Sequence, residues 1–297
     1  MAETGADHTH PYVVLRPSQR VRLLRYTKWM WAAYVVGSAL TFAGAFTWID
    51  SHAVLGQWHY HPIIDQVAII TEKPGWRSLV YPVTLGVGVF LAIRRRDLHP
   101  PITAVWALIA TNAATGFMKL LTGRPTPRQD RLHPQFFNSD WFKPTDWVGI
   151  GAFPSGHTAN LGAAAALAVM AMYASRWRWR RAGTIVVALT CVDVAVSSWA
   201  RDTHWVTDLV FGYVLGAAVA MTTSLLTADL PVQWRHPSYM GSTRLIVIGG
   251  IVVFAGSFAI FADNSFLSNS NTSILIMLGV AYLGWRHRRS RRNRRTP

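Results

Sequence analysis

Long apolar runs alternate with short polar segments through most of the sequence. The runs have the length and composition of helices that cross a lipid bilayer. Because backbone groups inside a bilayer must be hydrogen-bonded within the chain, such runs favour α-helices. We therefore expect an all-α, polytopic membrane helical bundle. The predicted spans cover about 29–49, 79–93, 101–121, 154–174, 183–200, 205–227, 244–262 and 272–285.

The polar residues divide this bundle into parts. The last two spans lack inward-looking ionisable residues, apart from Asp263 at a loop. We expect a six-span core to which two C-terminal spans are added, with no soluble domain and no internal repeat. The predicted division is a cytoplasmic basic tail (1–28), a six-helix membrane core (29–227), two additional transmembrane helices (228–285) and a basic cytoplasmic tail (286–297).

The positions of the basic residues predict the orientation. If the amino terminus is cytoplasmic and all eight spans cross, 21 of the 29 lysines and arginines fall on the cytoplasmic side. This bias is the one that the positive-inside rule describes. The prediction is a multi-pass plasma-membrane protein with both termini in the cytoplasm. Lys119, the segment 154–158 and the segment 201–208 then share the extracytoplasmic face.

Composition narrows the classes of function. The chain is 51% hydrophobic and 14% charged, with a net charge of +15. The charges form clusters between apolar segments, so topology and contact with anionic membrane lipids explain them better than nucleic-acid binding. The single cysteine, Cys191, excludes a disulfide framework and a cysteine-based metal site. No cleavable signal peptide is evident, because the first apolar run is long enough to span.

The segment 201–208 carries the first candidate chemistry. In a helix, Arg201, His204 and Asp208 are separated by three and four residues and share one face. A carboxylate one turn from a histidine can accept its N–H and leave the other ring nitrogen free as base or nucleophile. The alternative is a polar trio that only anchors a helix end at the membrane surface.

The segment Pro154-Ser155-Gly156-His157 directly precedes an apolar helix. Serine and proline suit a helix start, and glycine lets a backbone approach a ligand. The first N–H groups and the helix dipole then form an anion site, beside which a histidine can protonate a leaving group. The alternative is an ordinary capped helix with an interfacial histidine.

Basic residues gather around the end of the third span. Lys119 closes that span, and Arg124, Arg128 and Arg131 follow in a long polar connection, 123–156. A lysine at a membrane boundary often only extends to the surface. Clustered guanidinium groups on the side with few basic residues indicate phosphate binding. A connection of this length is usually functional.

Together these three stretches resemble the three-part signature of the type 2 phosphatidic acid phosphatase superfamily, which includes integral-membrane lipid phosphate phosphatases. The resemblance covers about residues 75–226, and its second part is an unbroken match. It implies that His204 is the nucleophile, that Asp208 orients it, and that His157 is the general acid and then the base. It implies no metal and no cofactor. The phosphate ligands implied are Lys119, Arg124, Arg128, Ser155, Gly156 and Arg201.

The sequence departs from the family pattern at two arginines. Thr126 occupies the position of the first, with Arg124 two residues earlier and Arg128 two residues later. Ser198 occupies the position of the second, and Arg201 lies about one helical turn further on. We interpret both shifts as relocated phosphate ligands. The alternative is an inactive or re-purposed member of the family.

The function expected is removal of a terminal phosphate from a membrane lipid on the extracytoplasmic side, through a phosphohistidine. Candidate substrates are polyprenyl phosphates or diphosphates, phosphatidic acid and phosphatidylglycerol phosphate. A composition rich in arginine, alanine and tryptophan indicates a high-GC bacterium, which favours a cell-envelope carrier lipid. The alternatives are phosphotransfer to another hydroxyl through the same intermediate, or a catalytically degenerate membrane scaffold. A transporter is disfavoured because the ionisable residues gather at one surface. The sequence leaves the oligomeric state open.

Overall fold

A computed structural model describes residues 17–53, 62–95, 99–127, 152–174 and 177–228. Within these ranges the chain is helical and contains no strand, which confirms the predicted all-α class. A single-turn 3-10 helix, Lys73–Gly75, connects two of the α-helices. The α-helices of the described part are α1 (Pro17–Phe42), α2 (Thr47–His52), α3 (Pro62–Glu72), α4 (Arg77–Arg95), α5 (His99–Thr122), α6 (Gly156–Ala174), α7 (Arg180–Ala200) and α8 (Val206–Thr227).

The long helices α1 and α4 to α8 correspond to the first six predicted spans. The first differs most, because α1 begins at Pro17 and ends at Phe42. Basic residues expected in a polar tail therefore form its first turns. The chain then turns through Gly44, whose φ of +83° suits a residue without a side chain, and continues as α2. The predicted seventh and eighth spans and the C-terminal tail lie outside the described residues.

Four stretches in the described part are long and apolar enough to cross a membrane. They support the prediction of a multi-pass membrane protein, whereas the number of crossings stays a prediction. The four stretches are Gln66–Ala92, His99–Lys119, Arg180–Ala200 and Val206–Thr227.

Helix α8 lies at the centre of the bundle and packs against α1, α5 and α6. Its contact with α6 depends on small residues: a Cβ placed on Gly216 would lie 2.0 Å from the carbonyl oxygen of Ala159. A Cβ on Gly212 would lie 2.0 Å from Oγ1 of Thr158. Glycine at such points lets two membrane helices approach closely. Because α6 and α8 begin beside the candidate histidines, this packing sets the distance between them.

Helix α3 lies along α7 and presents an apolar outer face, with Ile63, Val67 and Ile70 exposed. Its last residue, Glu72, is fully buried. The 3-10 turn that follows passes close to the start of α6, because a Cβ on Gly75 would lie 3.2 Å from Cβ of His157. The turn thus brings the end of α3 to the first turn of α6.

An aromatic cluster holds the segment that precedes α6. Phe153 is fully buried and packs between Tyr34, Phe42 and Phe211. The ring centroids of Phe153 and Phe42 lie 4.9 Å apart in an edge-to-face arrangement, which is favourable for aromatic pairs. Through these contacts, helices α1 and α8 hold in place the backbone that leads into the segment 154–157.

Candidate active site

The structure brings the two candidate histidines together. His204 lies in the turn between α7 and α8, and His157 is the second residue of α6. Their ring centroids are 6.4 Å apart and the rings are nearly perpendicular, at 83°. The side chain of His204 is 10% exposed, whereas that of His157 is 37% exposed. A phosphoryl group placed between the rings can therefore contact both.

The orientation of His204 depends on a backbone carbonyl. Its Nδ1 lies 3.0 Å from the carbonyl oxygen of Ala152, which can only accept a hydrogen bond. Nδ1 therefore carries the proton, and Nε2 keeps the lone pair that a nucleophile needs. The sequence suggested Asp208 as the acceptor, but its Oδ2 lies 3.8 Å from Nδ1, which is too long for a hydrogen bond.

The electrostatics of His204 favour the neutral ring. Burial lowers the pKa of His204 below its ordinary value, and the neighbouring Asp208 carboxylate raises it in part. The positive charge of Lys119 acts in the same direction as burial. A neutral imidazole is the form that can attack phosphorus.

Asp208 is held by other contacts at the start of α8. Its Oδ2 accepts the backbone N–H of Trp205 at 3.0 Å, as a capping carboxylate does. Its Oδ1 accepts a hydrogen bond from Nη1 of Arg124 at 2.6 Å. The carboxylate is fully buried and lies within one turn of His204. Asp208 therefore acts on His204 through its charge.

Arg124 is buried behind this carboxylate. Its Nη1 also donates to Oγ1 of Thr207 at 2.7 Å, and its Nη2 donates to Oδ2 of Asp50 at 2.6 Å. Asp50 in turn accepts hydrogen bonds from the hydroxyl and the backbone N–H of Thr207. Arg124 thus joins two buried carboxylates, Asp50 and Asp208. The phosphate-binding role expected for Arg124 stays a prediction.

A third buried carboxylate, Glu72, lies on the other side of the histidine pair. Its Oε1 accepts a hydrogen bond from Ser198 at 2.7 Å and lies 3.2 Å from Nδ1 of His157. Its Oε2 accepts a hydrogen bond from Nη1 of Arg201. Arg201 therefore reaches the site beside His157. Its position about one turn beyond Ser198 still places it close to the first turn of α6.

The segment before α6 provides hydrogen-bond donors for an anion. Ser155 is fully buried, and its hydroxyl has no hydrogen-bond partner among the described residues. Its backbone N–H donates to the carbonyl of Asp208 at 3.0 Å, which ties the segment to α8. A Cβ on Gly156 would meet no heavy atom within 4 Å. The first turn of α6 is therefore accessible to a ligand, as an anion site at a helix start requires.

Positive charge is added from α5 and α4. Lys119 lies in the last turn of α5, and its charge interacts with those of Asp208 and Arg77. Arg77 begins α4 and was not among the residues predicted from the sequence. A basic residue directly before an apolar run on the same side as Lys119 was the signal that could have identified it.

Most of the predicted site residues converge. The structure brings His204, His157 and Asp208 together with Lys119, Ser155, Gly156, Arg124 and Arg201, whereas Arg128 lies outside the described residues. Asp50 and Glu72 were missed, although both are acidic residues near the ends of apolar runs. In the described ranges no group of three histidine, cysteine, aspartate or glutamate side chains is arranged to hold a metal ion.

Comparison with known proteins agrees with the motifs. Residues 100–231 match the family model described as the PAP2 superfamily. The family predicted from the three motifs is therefore confirmed. The PAP2 segment contains both histidines and Asp208, whereas Asp50 and Glu72 precede it. Two of the carboxylates at the site thus come from outside the matched region.

One solved structure gives a distant match. The fold is similar to the crystal structure of the first transmembrane PAP2-type phosphatidylglycerolphosphate phosphatase, from Bacillus subtilis, with a TM-score of 0.46 and 18% sequence identity. The alignment covers 69% of this chain and 93% of that one. No protein of curated function matches the chain in sequence.

Proposed function

We propose that this protein is a lipid phosphate phosphatase, which hydrolyses a terminal phosphate from a membrane lipid on the extracytoplasmic side. The observation that carries the proposal is the arrangement of His204 and His157 within a PAP2 segment. His204 has Nδ1 directed to the carbonyl of Ala152, so Nε2 is available, and His157 lies 6.4 Å away between ring centroids. Ser155 and the first turn of α6 lie beside them.

The proposed reaction has two steps. First, Nε2 of His204 attacks phosphorus, the bond from phosphorus to the ester oxygen breaks, and His157 gives its proton to that oxygen. Second, a water molecule attacks the phosphohistidine, His157 takes a proton from the water, and the bond from phosphorus to Nε2 breaks. Phosphate leaves, and both histidines return to their starting states.

Charge stabilisation in these steps is assigned to residues around the histidines. Lys119, Arg201, the Ser155 hydroxyl and the first N–H groups of α6 are proposed to hold the phosphate oxygens. Arg124 and Arg128 keep this role as predictions from their sequence positions. The negative charge of Asp208 stabilises the positive charge that His204 gains when it is phosphorylated. The proposed reaction uses no metal and no cofactor.

The substrate proposed has a phosphorylated head and an apolar tail. The support for this is the position of His204 between α7 and α8, two helices that are long and apolar enough to span a membrane. Such a substrate can keep its tail in the bilayer while its head reaches the site. Polyprenyl phosphates or diphosphates, phosphatidic acid and phosphatidylglycerol phosphate all satisfy this description.

The test is phosphate release by the purified full-length protein in detergent from a panel of these lipids. We expect release from at least one of them, the same rate with a chelator present, and no release by His204→Ala. Normal turnover by His204→Ala would contradict the proposed nucleophile. A phosphorylated acceptor without free phosphate would instead identify a phosphotransferase.

A further inference from the structure

We propose that Glu72 is a positioning residue of this reaction, which holds His157 in the orientation of a proton donor and fixes Arg201 beside it. The proposal rests on the proposed phosphatase function. Glu72 precedes the PAP2 segment and belongs to none of the three motifs. It is the carboxylate that contacts both the second and the third motif.

The burial of Glu72 requires charged and hydrogen-bonding partners. Glu72 is fully buried, and a buried carboxylate is costly unless charges and hydrogen bonds compensate it. The compensation comes from Ser198 and Arg201 at the end of α7 and from His157 at the start of α6. The carboxylate therefore joins two helix ends that each carry a motif.

The ring of His157 has one nitrogen close to Glu72. Nδ1 of His157 lies 3.2 Å from Oε1 of Glu72 without forming a hydrogen bond of good geometry. The negative charge therefore acts on the ring mainly by electrostatic attraction. With Nδ1 near Glu72, the opposite ring nitrogen is directed away from the carboxylate. Glu72 also offsets the positive charge of the ring when it holds both protons.

The contact is held from a rigid support. Glu72 ends α3, and the following 3-10 turn passes so close to α6 that a Cβ on Gly75 would lie 3.2 Å from Cβ of His157. Thr71, the residue before Glu72, has its hydroxyl 2.5 Å from that of Ser197 on α7. Two neighbouring side chains therefore connect α3 to α7, but Glu72 is the one that reaches the histidine.

Glu72 also binds Arg201, the arginine that is shifted relative to the family pattern. Ser198 occupies the position where the family pattern places an arginine, and it donates a hydrogen bond to the same Oε1 that lies near His157. Arg201 binds the other oxygen of the carboxylate, Oε2. Glu72 therefore fixes the guanidinium that replaces the missing one, with the side chain of Arg201 still 21% exposed.

The consequence concerns the first chemical step. When the ester bond breaks, the proton on His157 moves to the leaving oxygen. Because an alkoxide is a much stronger base than a nitrophenolate, its departure depends far more on that proton. Loss of the Glu72 carboxylate should therefore slow the hydrolysis of substrates with alkyl leaving groups more than that of nitrophenyl substrates. Damage to the nucleophile or to the fold would slow both kinds of substrate.

The experiment compares two substrates in the full-length protein in detergent: phosphatidic acid, with an alkyl leaving group, and p-nitrophenyl phosphate. For Glu72→Gln we expect kcat/KM on phosphatidic acid, which reports only the steps up to departure of the leaving group, to fall about 10-fold or more, as part of the roughly 10²–10⁴-fold that general acid catalysis contributes. On p-nitrophenyl phosphate we expect a fall of less than about 3-fold, since the acid contributes little there. The matched control is Thr71→Ala, which removes the adjacent contact to α7 without touching His157 and should change the two rates, if at all, by the same factor.

A double variant tests whether Glu72 acts through His157. His157→Ala should show the same selective loss in kcat/KM, whereas its kcat should fall on both substrates because His157 also activates the water of the second step. Adding Glu72→Gln to it should lower kcat/KM on phosphatidic acid little further. An equal loss on both substrates, or no loss on either, would overturn the positioning role. If the wild-type protein releases phosphate from none of the lipids of the panel, the phosphatase proposal itself fails; a panel lipid that it does hydrolyse replaces phosphatidic acid as the lipid substrate. If Glu72→Gln does not fold, Glu72→Asp keeps the charge on a shorter side chain and should show the same selectivity.

Discussion

Arg124 and Asp208 are separated by 84 residues in the sequence and form a buried ion pair in which Nη1 lies 2.6 Å from Oδ1. The pair connects the end of α5 to the start of α8. Because Asp208 lies one turn from His204, the arginine sets the position of the charge that acts on the proposed nucleophile. The same guanidinium binds Asp50 at 2.6 Å, so a residue of α2 contributes to that position.

The first prediction concerns Asp50. Removing one partner of a buried, hydrogen-bonded ion pair typically costs 3–5 kcal/mol, so we expect Asp50→Ala to lower the free energy of unfolding by about 3 kcal/mol. We also expect kcat to fall, because Arg124 is then held by Asp208 and Thr207 alone. Thermal unfolding in detergent and phosphate release measure the two effects. The control is Ser51→Ala, which changes the exposed neighbour of Asp50 on α2 and should alter neither quantity.

The second prediction concerns pH. Burial lowers the pKa of His204, and the Asp208 carboxylate opposes that shift. Since the neutral ring is the nucleophile, kcat/KM should fall as the pH drops through the pKa of His204. In Asp208→Asn the upward influence is lost, so the acid limb of the pH profile should move to lower pH while the plateau falls. A limb that stays in place or moves to higher pH would contradict the assignment of His204.

The third prediction concerns Ser155. Its buried hydroxyl has no partner among the described residues, and an unpaired buried polar group typically costs about 1–3 kcal/mol. We therefore expect Ser155→Ala to keep or raise the unfolding midpoint, and also to raise KM because a phosphate donor is lost. Thermal unfolding and steady-state kinetics test both parts. A lower midpoint together with an unchanged KM would show that the hydroxyl serves the fold and not the substrate.

The fourth prediction concerns the contact between α6 and α8. A Cβ on Gly216 would lie 2.0 Å from a backbone carbonyl of α6, which cannot rotate away. Gly216→Ala should therefore separate the helices and cost about 1–3 kcal/mol, as overpacking does. The matched control is Gly86→Ala in α4, where a Cβ meets nothing within 4 Å and helix propensity favours alanine. Unfolding midpoints in detergent distinguish the two variants, and a stable Gly216→Ala would show that the helices can separate without cost.

The sequence predicted the helical class and the meeting of the two histidines for a clear physical reason. Each histidine lies at the start of an apolar helix, and the distribution of basic residues placed both helix starts on the same face. Apolar periodicity and charge bias are local properties that a sequence displays directly. The side of the membrane and the catalytic roles stay predictions.

The partners of the buried carboxylates could not be predicted in the same way. Asp50 and Glu72 bind arginines 74 and 129 residues further along the chain, and no local pattern encodes such pairs. The acceptor for His204 was also missed, because it is the backbone carbonyl of Ala152 rather than a side chain. The start of α1 was missed because basic residues form helices as readily as tails.

The pairing of both arginines with buried carboxylates has a consequence for turnover. Arg124 is neutralised by Asp50 and Asp208, and Arg201 by Glu72. These carboxylates therefore offset part of the positive charge that holds free phosphate after hydrolysis. We expect inorganic phosphate to be a weak product inhibitor, so that the site is soon cleared for the next lipid.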